Sequence, residues 1–249
     1  MKIESTLSQN SENYYPQNVF SFPFFEDARF ILSPNRDVLA ELAGPENTIV
    51  HVNLAAKELN LKNKITVIRV IPQPEEMWRI VPTTGLAIQS PCAFTINLYF
   101  DPQNPNTVNS LKSWSGRQIA HEVNHIVRMT KFPLHATLLE ALISEGLGVY
   151  FEEHWQGKYK GSFWGNIFLQ EELESEWKKA RNELYSSDFD FGEWFWGRNG
   201  KHTKYAGYTL GNALVKKYFE THISKKMSEV VRMSASEIAS EIGDAPIHI

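Results

Sequence analysis

Two histidines four residues apart, with a glutamate directly after the first, stand at His121-Glu122-Val123-Asn124-His125. On a helix, positions i and i+4 share one face about one turn apart, so both imidazoles can reach a single Zn²⁺ ion. Glu122 lies about 100° round the axis from His121. From there its carboxylate can take a proton from a water activated by the metal. The neighbouring residues separate into two sides. Ile119, Val123, Ile126 and Thr130 form one stripe, with Ala120 and Val127 beside it. Gln118, His121, Glu122, His125 and Arg128 gather opposite. That polar side suits either a metal site or an ordinary solvated helix face.

A catalytic zinc site has three protein ligands and one open position. Glu145 is the candidate for the third. It falls on a helical stripe with Leu138, Leu142 and Val149, and a carboxylate among apolar side chains is costly unless a positive group meets it. Glu140 lies about 140° away on the same helix and has a local role at that helix's start, so it is set aside. Glu152 shares the face of Glu145 but lies about 10 Å further along, where a solvated role is expected. Gly146 and Gly148 beside the candidate would let two helices approach closely.

HExxH followed by Ser144-Glu145-Gly146-Leu147 resembles the gluzincin metallopeptidases. In that group the two motif histidines and a downstream glutamate bind zinc, which here implies His121, His125 and Glu145. The stretch from Leu142 to Glu152 looks like the third-ligand helix of the M1 aminopeptidases. The wider pattern is His121 to Arg128 as HExxHxxR, the helix with Glu145-Gly146, and Gly207-Tyr208-Thr209-Leu210-Gly211. It is similar to a bacterial family of predicted zinc-dependent proteases. The resemblance implies that Tyr208, in its YxxG setting, stabilises the oxyanion; Tyr205 and His202 are the substitutes. Two departures matter. Many gluzincins carry an Asp four residues after the ligand Glu, orienting a zinc histidine, but here that position is Val149, so such support must come from elsewhere. The Gly-x-Met-x-Asn motif of the exopeptidases is absent, so aminopeptidase specificity is not implied. Arg128, within about 20° of His121 and two turns on, could pair Glu145 or a substrate carboxylate, or be a plain surface arginine.

These residues need elements to hold them. A helix is expected from Glu46 to Leu61, with Val50, Leu54 and Leu61 at helical spacing. Strands are expected at Ile65–Ile71, Leu86–Gln89 and Phe94–Phe100, the last with Thr95, Asn97 and Tyr99 on its outer face. Ser115 with Gln118 suggests a capping box opening the HExxH helix, which Pro133 limits to about Thr130. Thr137 with Glu140 suggests another, opening a helix to about Trp155. Further helices are expected at Asn166–Tyr185, Tyr205–Phe219 and Ser236–Ile242, and a loop at Phe189–Gly200. The expected fold is α+β and zincin-like: a small mixed sheet packed on the active-site helix, then a mostly helical C-terminal half. It reads as one peptidase domain over residues 1–249, with an aromatic arm to about residue 35, a helix-and-sheet part over 36–110 and a helical part over 111–249. The strand at 86–89 or 94–99 would hold an extended peptide along its edge.

Composition agrees with a globular enzyme. Of 249 residues, 42% are hydrophobic and 22% charged, enough for a large core. The net charge of −4 gives no global positive field for nucleic acid. No apolar run reaches the roughly 18–20 residues of a membrane span. The polar first residues lack the apolar segment of a secretory signal, and the one cysteine, Cys92, forbids an internal disulfide. A cytoplasmic, zinc-dependent hydrolase acting on peptides or proteins is the expectation; a non-catalytic metal-binding or scaffold protein is the alternative. His51, His135, His154, His222 and His248 lack ligand partners at useful spacing and are expected to be surface or satisfied structure. Cys92 is expected to be a small buried residue. Trp194, Phe195 and Trp196 suit either a substrate cleft or aromatic core.

Overall fold

The computed structural model describes residues 51–61, 96–98, 116–157, 161–162 and 164–243 with their side chains. Among these, 64% are helical and 2% are strand. The expectation of an α+β zincin-like fold, with a mixed sheet on the active-site helix, is therefore overturned. The expected strands are present as Ile65–Pro72 and Thr83–Ser90, but their side chains, the packing of the arm to residue 35, Cys92 and His248 lie outside the described residues. Of the strand Ala93–Phe100, the described part is Ile96, Asn97 and Leu98, and all three are buried. Asn97 does not face solvent as its alternation suggested. A short apolar/polar alternation signals extended backbone; it does not reveal how far a sheet extends or which faces it buries.

The chain divides into two compact units, Met1–Ile126 and Val127–Ile249. In the first, helix α1 spans Pro45–Glu58. Its core stripe is Val52, Ala55, Ala56 and Leu59, spaced i, i+3, i+4, i+7. Leu54, expected inside, is 40% exposed; the small alanines carry the packing instead. The helix ends where Asn60 turns left-handed (φ 51°) and the Leu61 N–H donates to the Ala56 carbonyl. Helix α2 spans Thr107–Met129, and the division between units falls within its sequence. It begins before Ser115, so the Ser115/Gln118 pattern is not its cap. Gly116 lies against the ring of His51, where a Cβ would collide.

The second unit is built of helices. Helix α3 spans Leu138–His154, and the Thr137 side chain accepts from the Glu140 N–H at 3.2 Å as its N-cap. Two more of its leading N–H groups are met by chain carbonyls: Leu138 donates to Ser186 and Leu139 to Leu184. Then follow α4 (Gln170–Arg181), α5 (Phe191–Trp196), α6 (Ala206–Thr221), α7 (Met227–Val230) and α8 (Ala235–Ile242). Helix α5 falls where a loop was expected. Asp190 caps its start by accepting from the Glu193 N–H, and Gly197, left-handed at φ 61°, closes its end. These two signals outweigh Gly192 and the crowding of aromatics. Trp194 and Phe195 are core, 1% and 0% exposed.

Helix α6 is the hub, packed on α3, α4, α5 and α8. Its closest partner is α3. A Cβ on Gly146 would land on the Gly211 carbonyl, and a Cβ on Gly211 would land on the Leu142 carbonyl. Each glycine is thus the gap into which the other helix's backbone fits. Glu153, fully buried, ties the same elements together through hydrogen bonds from the Ser162 N–H, Asn166 Nδ2 and Asn212 Nδ2.

Candidate metal centre

The polar side of α2 is not a solvated face. Gln118, His121, Glu122 and His125 are 5–6% exposed, and Asn124 and Arg128 are 0% exposed. The apolar stripe of Ile119, Val123 and Ile126 is buried as expected, so the helix is buried on all sides around its motif. Burying imidazoles and carboxylates is costly unless they are partnered or hold a cation.

The Nε2 atoms of His121 and His125 face each other at 3.0 Å, with the rings edge-on at 73°. Two imidazole nitrogens on one tetrahedral zinc, each 2.0–2.1 Å from it, stand about 3.3 Å apart. The pair is therefore spaced to share an ion. Glu145, on α3, is 5% exposed. His121, His125 and Glu145 can each offer one ligand atom, and these atoms all lie within 4.8 Å of one another. Two neutral nitrogens and one carboxylate oxygen form a donor set that zinc accepts. The residues present fit a divalent ion.

A family model described as "Predicted Zn-dependent protease (DUF2268)" matches residues 46–240. The chain belongs to this family. The family's description accords with the donor set on α2 and α3, and the match takes in every helix from α2 to α7. Neither the curated proteins nor the solved structures yield a match. No helix among the described residues is long and apolar enough to cross a membrane.

The other named residues fall as follows. Tyr208, 9% exposed, sits on α6 in an aromatic group: Phe195 is edge-on at 5.0 Å, with Trp164 and Trp196 at 5.8 and 5.9 Å. It precedes Gly211 by three residues and so shares the side of α6 on which that glycine meets α3. Tyr205 begins α6 in a left-handed conformation, φ 67°, and burial pushes its phenol pKa up. His202 is held away from any free role at one nitrogen: its Nδ1 is 2.9 Å from Glu176 Oε2, and its ring stacks on Trp194 at 3.6 Å. Burial alone would raise Glu176, but hydrogen bonds from Lys179, His202 and the Thr203 N–H outweigh it and hold the carboxyl below its ordinary range.

Three expectations change. Arg128 pairs with neither Glu145 nor solvent. Its Nε donates to Glu140 Oε1 at 2.8 Å and to Ser144 Oγ at 2.9 Å, and Nη1 donates to the Met233 carbonyl at 2.9 Å. Glu140, set aside as a ligand for a local role at the helix start, carries its side chain into this buried pair instead. Glu152 is 0% exposed, not solvated; α3 is enclosed along nearly its whole length. His135, expected to be surface or satisfied structure with no ligand partner, has its Nε2 3.2 Å from Glu145 Oε1. No periodicity could reveal that contact, because it is made across a left-handed turn (φ 62°) rather than along a helix.

Proposed function

We propose that this chain is a zinc-dependent peptidase of gluzincin type, with His121, His125 and Glu145 as metal ligands, Glu122 as general base and Tyr208 as oxyanion donor. The convergence of three buried ligand groups supports the reading. Zinc bound there would supply a Lewis acid that brings the pKa of water to near 7. Glu122 is one residue from His121 and one-quarter turn round α2, so its carboxylate accepts the water's proton as the oxygen adds to the peptide carbonyl. It then returns that proton to the departing amine nitrogen as the C–N bond breaks. Negative charge meanwhile collects on the former carbonyl oxygen. The Tyr208 phenol, on the helix that crosses α3 beside Glu145, donates a hydrogen bond to it. Peptides or proteins are the substrates, and the whole set works as one hydrolytic centre.

The test is a peptide mixture incubated with zinc-loaded protein and read by mass spectrometry. New peptide termini are expected, lost with a chelator and restored by zinc. A zinc-loaded protein that cuts nothing in the mixture would overturn the peptidase reading and favour a non-catalytic metal-binding scaffold.

A further inference from the structure

We propose that His135 is a positioning residue for Glu145, fixing the rotation of its carboxylate so that it meets the ion in one orientation. This rests on the zinc-peptidase reading above. A glutamate's last torsion is broad, because an sp³–sp² bond has no sharp staggered wells. A ligand carboxylate left to itself would spend much of its time misaimed, and a hydrogen bond from the protein is the remedy.

His135 has the geometry for this. It lies in the short connection between α2 and α3, with its backbone left-handed at φ 62°. Histidine is among the few residues besides glycine that enter this region with some frequency, and here the turn aims its ring back toward α3. The ring is 4.4 Å from that of Phe191, which in turn stacks on fully buried Phe195 at 4.2 Å and 14°. The imidazole is thus propped from behind by two aromatic rings on α5. In front, Nε2 stands 3.2 Å from Glu145 Oε1. An ionised carboxylate only accepts, so the Nε2–H donates. The His135 side chain is 35% exposed and that of Glu145 only 7%, so the histidine closes the outer side of the carboxylate.

Three variants test the inference. His135→Asn tolerates the left-handed turn but is too short to reach. His135→Gln can bring an amide N–H to about the place of Nε2. Glu145→Gln removes the ligand charge itself. The readouts are the zinc dissociation constant by chelator competition, the visible spectrum of the cobalt-loaded protein, and the melting temperature of the metal-free protein. His135→Asn should weaken zinc by about 10–100-fold and change the cobalt spectrum, with the metal-free melting temperature held. His135→Gln should recover most of the affinity. Zinc binding by His135→Asn within twofold of the parent would overturn the proposal. So would a loss of affinity matched by a loss of metal-free stability. If the parent binds no zinc, or Glu145→Gln leaves affinity unchanged, the metal-centre reading itself fails, which is a separate result.

Discussion

Glu122→Gln should lower kcat for peptide cleavage by about 10²–10⁴-fold, the usual contribution of a positioned general base, while zinc content stays at the parent's level. The substitution keeps the size and both hydrogen-bonding positions of the side chain but removes the group that can hold a proton in flight. Glu122 is 5% exposed, so no bulk buffer stands close by to take its place. The ligand groups of His121, His125 and Glu145 are untouched, which is why metal content and rate should separate. KM should move little, because the carboxylate acts on the water and the leaving amine rather than on substrate side chains. A variant that keeps zinc and more than half of the parental rate would remove Glu122 from the chemistry. A variant that loses its zinc would place Glu122 in the structure of the site instead.

The second large effect concerns stability. Arg128→Ala should cost about 3–5 kcal/mol, the usual penalty for removing one partner of a buried pair. Arg128 is 0% exposed, and Glu140 Oε1 stands 2.8 Å from its Nε and 2.6 Å from its Nη2. Removing the guanidinium strands a buried carboxylate at the start of α3. It also leaves the Met233 carbonyl, which closes the link to the segment before α8, without its donor. Burial pulls the guanidinium's pKa below its ordinary value, and Glu140 offsets only part of that pull, as expected for a charge that is stable only with its partner. Urea unfolding of the metal-free protein measures the loss. A change below about 1 kcal/mol, the size of an exposed pair, would contradict the description of a buried pair.

Much of this site was legible in the sequence because helix period is a strong signal. HExxH needs only the i, i+4 rule, and Glu145 betrays itself as a charge on an apolar stripe. The Thr137 cap and the start of α3 follow from side-chain chemistry local to four residues. The glycines near Glu145 pointed to close packing, and Gly146 against Gly211 is that contact. What escaped were pairings across the fold. Arg128 lies on the same side of α2 as His121, so spacing suggested Glu145 or a substrate as its partner, and only the packing of α3 selects Glu140. His135 depends on a left-handed turn that no periodicity encodes. Glu152 and Asn97 were expected outside because a polar residue at the edge of an apolar pattern usually is. They are inside because the elements carrying them are covered on more than one side. The α+β expectation failed because three short runs, although each forms a strand, do not reveal how much helix the rest of the chain supplies, and the described residues are dominated by helices.

The central claim is that His121, His125 and Glu145 together hold one divalent ion, and elemental analysis of the dialysed protein tests it most directly. Protein equilibrated with zinc and then dialysed against a weak chelator should retain about one zinc per chain. His125→Ala and Glu145→Gln, shown folded by circular dichroism, should each retain almost none. Retention of the metal in either variant at the parental level, or its absence from the parent, would contradict the account.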